Sequence, residues 1–291
     1  MKVHLIDGTY ELFRHYYAVP PAQDAAGVEI GAVRGVVTSM VALLEKEATH
    51  VGVATDHVIE SFRNRLYGGY KTGDGMDPVL YAQFPILEQS LEALGVAVWP
   101  LVEFEADDGL ASAAALAARE PQVDQVLICT PDKDLAQCVV GSRVVLVDRR
   151  KKITFDEDGI LAKFGVKPRS IPDYLALVGD SADGYPGLTG WGPKSAAAIL
   201  ERYGRLEAIP RDWKSWPSQL RGAQRLCTVL LEQWDHALLY RRLATLAQDA
   251  PVSGCVAELR WSGPRPEFAA VCARLGAKGL PERAMNAARG R

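Results

Sequence analysis

The sequence predicts an α/β fold: a mostly parallel sheet flanked by helices, with a smaller helical subdomain after it. Three observations carry this reading. Three short apolar runs of β-type residues each lead to an acidic residue: Val3–Ile6 before Asp7, Val51–Thr55 before Asp56, and Val126–Thr130 before Asp132. Helix-like stretches separate them at Gly31–Glu47, Ala82–Leu94 and Asp107–Arg119. The first of these sets Val33, Val36, Val37, Met40, Val41 and Leu44 at helical spacing. Strands that alternate with helices build an open parallel sheet. Third, the pattern changes after Lys167-Pro168, where Ile171–Leu177, Ser195–Tyr203 and Leu226–Leu246 read as helices, and strand character returns only at Val256–Arg260.

These elements suggest a sheet domain over residues 1–169, a helical subdomain over 170–250 and a C-terminal segment over 251–291. The last holds a Pro-rich linker, Gly263–Pro266, one helix at Glu267–Leu275 and a frayed tail, Ala287–Arg291. Gly68–Pro78, with four glycines and a proline, reads as a mobile loop inside an arch of about residues 62–85. Arg63, Arg65 and Lys71 lie in or beside it, among Phe62, Tyr67, Tyr70 and Tyr81. Basic and aromatic residues together suit single-stranded nucleic acid. An ordinary surface loop fits the same composition.

Of the 291 residues, 48% are hydrophobic and 24% charged, as in an ordinary globular protein. No run approaches the roughly 20 apolar residues that span a bilayer. Met1 to Asp7 shows no signal-peptide pattern, so a cytoplasmic location is expected. The five cysteines, Cys129, Cys138, Cys227, Cys255 and Cys272, are scattered and form no C-x-x-C pair. Neither a disulfide framework nor a zinc site is indicated. The histidines are equally dispersed, so any metal should be a hard ion held by oxygen.

The spacing of the acidic residues is the most informative feature. In open parallel sheets the ligand site lies at the carboxyl ends of the strands, where Asp7, Asp56 and Asp132 are expected to converge. Glu105-Ala106-Asp107-Asp108 opens a helix, and one acid there would serve as a cap. Three acids in four positions exceed what capping needs. Asp132 and Asp134, two apart in an extended chain, should point the same way. Asp180 and Asp183 share one side of a turn. Nine clustered acids repel one another unless cations neutralise them. Oxygen-only ligands select Mg²⁺ or Mn²⁺, a pair of which can clamp an in-line phosphoryl displacement. A structural calcium site would show a compact ligand loop, and the sequence has none. Setting the nine acids aside leaves 27 against 33 Lys and Arg, so the net charge of −3 conceals a balance of +6 elsewhere. A basic nucleic-acid footprint is compatible with that balance.

Gly187 to Ser195 is similar to a Walker loop at first sight, but Pro193 separates Gly192 from Lys194-Ser195, and no strand precedes it. A tight glycine turn between two helices fits better, with Pro193 near the first position of the second helix. Backbone N–H groups at Gly190 and Gly192 could hold a phosphate there, with Lys194 and Ser195 adding contacts. A plain helix–turn–helix connection is the simpler alternative.

Taken in order, these motifs resemble the bacterial and phage 5′ nuclease family, which includes flap endonucleases and the 5′–3′ exonuclease domain of DNA polymerase I. The resemblance covers about residues 2–250 and rests on Leu5-Ile6-Asp7-Gly8, Ser61-Phe62-Arg63, Tyr67 to Lys71, Glu105 to Asp108, Asp132 to Leu135, and Gly179-Asp180 through Lys194. It implies a PIN-like sheet domain and a helix–three-turn–helix module that grips duplex DNA. By resemblance, Asp7, Asp56, Glu105, Asp107 and Asp108 surround a first divalent metal, and Asp132, Asp134, Asp180 and Asp183 a second. Arg14, Arg63, Tyr67, Tyr70 and Lys71 match positions near the substrate, with Arg63 and Lys71 at the reacting phosphate. Gly190, Gly192, Lys194 and Ser195 would bind duplex, at a turn that in some relatives also holds K⁺. The implied substrate is branched or 5′-flap DNA, cut in replication and repair by a monomer coupled to a polymerase and a ligase. No polymerase domain follows in the sequence, so a free-standing nuclease is expected.

Three departures stand out. Asp74 occupies the position where the family usually carries an Arg, Ala182-Asp183-Gly184 replaces the usual Ser-Asp-Asn, and Trp191 replaces the usual Ile or similar residue between the glycines. A PIN-type ribonuclease and a non-catalytic DNA-binding protein are the competing readings. The first usually has fewer carboxylates and no glycine turn; the second would not need a full acidic set.

Overall fold

Leu5 and Ile6 are consecutive in the first strand, point to opposite faces, and are both 0% exposed. A strand buried on both sides belongs to a parallel sheet covered by helices. In the computed structural model, which describes residues 1–46 and 48–290, this strand sits inside such a sheet. Contacts divide the chain into two units: Met1–Ile59 with Gly73–Thr130 and the chain from Ala247 onward, and Glu60–Thr72 with Pro131–Leu246.

The first unit holds four parallel strands, β1 (Lys2–Asp7), β2 (His50–Asp56), β3 (Ala97–Leu101) and β4 (Gln125–Cys129), in the order β3-β2-β1-β4. Pro100 places β3 at an edge, where a missing N–H costs least. Its helices, numbered in chain order, are α1 (Gly8–Tyr16), α2 (Gly31–Glu45), α4 (Pro78–Tyr81), α5 (Gln83–Leu94), α6 (Ala106–Arg119), α12 (Phe268–Arg274) and α13 (Leu280–Arg289). α6 packs on all four strands, and α2 lies against α1, α5 and α13. The register pairs Asp7 with Ala54 and Asp56 with Leu101, so the two acids end neighbouring strands.

The second unit contains α3 (Phe62–Leu66), the antiparallel pair β5 (Val144–Asp148) and β6 (Ile153–Phe155), then α7 (Glu157–Phe164), α8 (Ile171–Val178), α9 (Pro193–Tyr203), α10 (Ala223–Glu232) and α11 (Trp234–Ala244). α8 packs against α9 and α11, and α3 against α11.

Several sequence expectations are corrected. Leu226–Leu246 is two helices, broken at Gln233, whose φ of −108° and ψ of 25° end one and begin the next. Apolar residues continue at helical spacing on both sides (Leu226, Leu230, then Ala237, Tyr240), so periodicity hides the break. Val256–Leu259 is a 3-10 turn, not a strand, with only Arg260 bridging to His50. The expected frayed tail is helical through Arg289, because Leu280 and Ala284 are buried and Arg283 forms a two-pronged pair with Glu45 at 2.7 and 2.8 Å. Glu47, the last residue of the first expected helix, and Arg291 lie outside the described residues. Trp261 anchors the C-terminal segment by donating to Leu94 O at 2.7 Å.

Candidate metal centre and nucleic-acid interface

In the first unit the acids are positioned by strand ends and helix starts. Asp7 closes β1 and caps α1: Oδ1 accepts from Tyr10 N–H and Oδ2 from the Thr130 hydroxyl, both at 2.8 Å. Asp56 closes β2. Its N–H donates to Thr9 Oγ1 at 2.8 Å, and Oδ1 accepts from Ala106 N–H at 2.7 Å. That bond ties β2 to the start of α6, where Glu105 is the N-cap and Asp107 lies in the first turn, half-buried.

Asp108, expected beside the first metal, also has a backbone task. It is fully buried, and its oxygens accept from Glu105 N–H at 3.0 Å and Ala247 N–H at 2.8 Å. One carboxylate here joins two backbone segments. Glu88, not singled out from the sequence, supports Asp56 through its neighbours: its oxygens accept from Thr55 Oγ1 and contact His57 Nδ1, both at 2.8 Å. The signal was present, because an acid on the buried face of α5 beside Leu87 and Leu91 needs partners. Arg14 is paired with buried Glu11 and keeps part of its side chain exposed.

In the second unit Asp134, Asp180 and Asp183 each offer an oxygen, all within 4.8 Å of one another. Asp180 and Tyr185 exchange backbone hydrogen bonds at 2.8 and 3.0 Å, closing the turn that presents Asp180 and Asp183 together. Two ammonium groups partly balance the charge: Lys133 Nζ lies 2.5 Å from Asp180, and Lys71 Nζ 2.9 Å from Asp183. Burial of the Lys133 ammonium opposes its charge, but the bond to Asp180 and the nearby carboxylates outweigh this and raise its pKa.

Asp134 is buried, and its Oδ1 has no hydrogen-bond partner. Burial, then the fields of Asp132, Asp183 and Asp180, push its carboxyl well above the ordinary range. An orphaned carboxylate oxygen beside two further carboxylates suits a hard divalent cation. The expected extended Asp132–Asp134 pair is corrected. Lys133 is helical (φ −75°, ψ −25°) and Asp134 starts a 3-10 helix, while exposed Asp132 caps it by accepting from Asp134 N–H at 2.8 Å. A local side-chain cap has replaced extended chain.

Lys71 is fixed from several sides. Its N–H donates to Asp183 O at 3.0 Å, and its carbonyl accepts from Asn64 Nδ2 at 2.9 Å. The same approach explains Gly184. Its φ is +86°, and a Cβ there would lie 2.2 Å from Gly69 O, so no side chain fits.

Arg63 and Tyr70 are not placed as surface contacts for DNA. Arg63 is 1% exposed, with Nε donating to Leu243 O at 2.8 Å and Nη2 to Thr245 O at 3.2 Å, at the C-terminal end of α11. A cation there satisfies helix-end carbonyls and suits the helix dipole. Tyr70 is buried at 4% exposure, and Tyr67 packs edge-on against Tyr240 at 5.9 Å.

The glycine turn is built as a helix entrance. Gly190 has φ +80°, Pro193 starts α9, and Ser195 Oγ bonds both Gly192 N–H and Gly192 O at 3.0 Å. Trp191 is buried, its indole N–H donating to Leu226 O at 3.3 Å, which gives the large residue a structural task. Exposed Lys194 opens on a groove of about 1030 Å³ whose lining also includes Arg221 and Arg225. Arg225 lies over Gly190, with Nη2 3.7 Å from where a Cβ would stand. These two arginines were missed; their signal is a cation pair four apart at a helix start.

Two protein-family models match the chain: the 5′-3′ exonuclease, N-terminal resolvase-like domain over residues 2–165, and the 5′-3′ exonuclease, C-terminal SAM fold over residues 166–267. A 5′-3′ exonuclease of Aquifex aeolicus is 32% identical over 225 residues, covering 77% of each chain. DNA polymerase I of Bacillus caldotenax is 31% identical over 290 residues, 97% of this chain and 32% of the polymerase, so the chain spans about a third of such relatives. Among solved structures, zinc-bound T5 5′-exonuclease shares the fold at TM-score 0.67 and 17% identity, over 99% of both chains. The catalytic core of Rad2 in complex with DNA substrate does so at 0.64 and 16%, over 98% of this chain and 92% of that one.

Two outcomes follow from this geometry. A carboxyl whose pKa is raised by folding favours the fold while protonated, and that contribution fades as pH rises through the raised value. In EDTA, Asp134→Asn should therefore melt several degrees above the parent near neutral pH, with the gap closing toward about pH 4. A lower melting temperature across that range would count against the repulsive cluster. Arg63→Ala should cost roughly 2–4 kcal/mol in denaturant unfolding, because the buried carbonyl of Leu243 and the part-buried one of Thr245 lose their donor. Unchanged stability with weakened DNA binding would return Arg63 to the substrate side.

Proposed function

Because the chain belongs to the 5′-3′ exonuclease family, we propose that it is a structure-specific 5′ nuclease. It acts as a 5′-flap endonuclease and 5′–3′ exonuclease, hydrolysing DNA phosphodiester bonds with two divalent ions. The observation that carries the reading is the buried Asp134 oxygen without a partner, set beside Asp180 and Asp183. A buried acceptor of this kind needs a partner, and beside two further carboxylates a bound cation can supply it. The T5 structures that share the fold include one with zinc and one of a flap endonuclease with DNA and metal ions, which supports the assignment.

In this reading Asp7, Asp56, Glu105, Asp107 and Asp108 surround one ion, and Asp132, Asp134, Asp180 and Asp183 the other. Asp108 also fixes Glu105 by accepting from its N–H. The all-oxygen donor set favours Mg²⁺ or Mn²⁺. When bound, the ions supply Lewis acidity toward the phosphate and acidify water. Lys71, fixed by Asn64 and Asp183, supplies a positive charge for phosphate oxygens. Arg14 adds a second. The Gly190–Ser195 turn and its groove hold the duplex arm, with Lys194, Arg221 and Arg225 on its phosphates and a potassium ion at the turn.

The catalytic part spans residues 1–169, the duplex-binding part 170–250 and the C-terminal segment 251–291. Among the described residues no helix is long and apolar enough to cross a membrane, and we place the protein in the cytoplasm as a monomer working with a polymerase and a ligase. The polymerase relatives, which extend well beyond the matched region, support that coupling.

Cleavage of a 5′-flap duplex, matched single-stranded RNA and blunt duplex, with Mn²⁺ or EDTA, tests the reading. The flap should be cut to a 5′-phosphate and a 3′-hydroxyl only with metal. Full activity in EDTA, or preference for RNA, would overturn it. Asp74 is exposed at a position where the family resemblance implies a cation. Asp74→Arg should tighten 5′-flap binding several-fold at low salt, less as salt rises, and leave blunt duplex nearly unchanged. Equal flap affinities at low salt would show that Asp74 stands away from the strand.

A further inference from the structure

The Pro-rich segment at residues 262–266 has no task in the site described above, and it is not the free linker that its composition suggests. Arg265 N–H donates to Ala93 O at 2.9 Å, and Trp261, just before the segment, holds Leu94 O with its indole N–H at 2.7 Å. A Cβ at Gly95 would lie 2.3 Å from Gly263 O, so the segment meets the end of α5 backbone to backbone. On the other side, a Cβ at Gly263 would stand 3.2 Å from the Ala288 side chain. Gly263 also has φ +120°, so only a glycine readily serves where α13 comes close. α13 is itself held by buried Leu280 and Ala284 and by the Arg283–Glu45 pair.

Between this segment and α13 lies a cleft of about 510 Å³. Pro264, Pro266 and Pro281 line it, and Met285 stands beside them 47% exposed. Proline fixes φ, so these walls are formed before anything binds and little ordering is left to oppose binding. An unbranched thioether adapts to whatever apolar group is placed against it. The lining also holds two exposed cations, Arg265 and Arg289. Among the described residues neither forms an ion pair, and no acid lines the cleft. Glu267 and Glu282, the acids nearest in sequence, stand outside it.

We propose that this cleft docks an acidic segment of a partner protein, with one large apolar side chain seated between the prolines and Met285 and carboxylates on Arg265 and Arg289. An apolar cleft alone would accept many occupants; two unpaired guanidinium groups beside it select by charge and present the fork that carboxylates match. A nucleic-acid strand fits less well. Two cations make a short track for phosphates, and the aromatic ring in the lining, Phe268, is 1% exposed and offers no face for a base to stack on. The proposal stands apart from the nuclease reading, since the cleft shares no residue with the acidic cluster or the glycine turn.

The test is fluorescence anisotropy of the full chain with labelled synthetic peptides of Asp and Glu that carry a single Leu, Phe or Trp. At least one should bind saturably, and more weakly as salt rises. Its counterparts with Ser for the apolar residue, or Lys for the acids, should bind roughly ten-fold more weakly. Met285→Glu should weaken the acidic peptide roughly ten-fold, by setting a like charge against it. The double variant Arg265→Glu, Arg289→Glu should do the same and gain the Lys peptide, an exchange that a misfolded chain would not give. Flap cleavage in Mn²⁺ should stay at the parent level in both variants. Saturable binding by none of the acidic peptides overturns the proposal, as does binding that both variants leave unchanged. Flap DNA that loses affinity in the double variant as the peptide does would give the cleft to nucleic acid. A concentration-dependent dimer that Met285→Glu dissociates would give it to a second copy of this chain. Either result overturns the proposal as well.

Discussion

Like charges held close together are the constraint on which much of the second unit depends. Three carboxylates with oxygens inside 4.8 Å, two of them buried, form no resting arrangement in a low-dielectric site. The surrounding chain is organised to impose it. A backbone bridge between Asp180 and Tyr185 closes the turn, and the side-chain-free Gly184 lets Gly69 O approach from the neighbouring loop. That approach brings Lys71 to Asp183, and the cap at Asp132 brings Lys133 to Asp180. Geometry that ordinary packing would resist is thus held by backbone contacts, which do not relax when one side chain changes.

The first unit solves the same problem differently. Its acids end neighbouring parallel strands or start a helix, where N–H groups are in surplus. Asp7 accepts from Tyr10 and Thr130, Asp56 from Ala106, and Asp108 from Glu105 and Ala247. Donors lower the cost of each charge, and they also fix where its remaining lone pairs point. Asp108 shows the limit of the device: with both oxygens engaged by backbone, it holds α6 to the segment at Ala247.

What could be read from the sequence follows the range of the interactions involved. β1, β2, β4, α2, α5 and α6 declared themselves because strand and helix periodicity are local. The acidic motifs were legible because like charges at short spacing are unusual without a purpose. The break at Gln233 was hidden by apolar spacing that continues through it. The burial of Arg63 was not legible because it depends on carbonyls 180 and 182 residues away. Glu88 was missed because its partners, Thr55 and His57, are distant in sequence. Arg221 and Arg225 line a groove with Gly190 that only tertiary structure brings together. Local chemistry survives translation from sequence to structure; the partners of a long side chain do not.

Arg63 and Lys71 sharpen that distinction. They sit eight residues apart, at either end of the same basic and aromatic stretch, and the sequence offers no reason to separate them. Arg63 carries five donors in a rigid fork, which suits an array of fixed carbonyls at a helix end. Lys71 carries one compact, rotatable charge on a flexible stem, which suits a carboxylate that must also serve a cation or a phosphate. The structure allots them accordingly: the guanidinium is sealed at the end of α11, and the ammonium stays partly exposed on Asp183. A lysine ammonium on a flexible stem, paired with a carboxylate that is itself only part-buried, can turn toward a phosphate without leaving a fixed acceptor behind. A buried arginine bonded to helix-end carbonyls cannot, because leaving them strands the Leu243 acceptor in the interior. The exchangeable cation can therefore serve the proposed site, while the fixed one holds the end of α11.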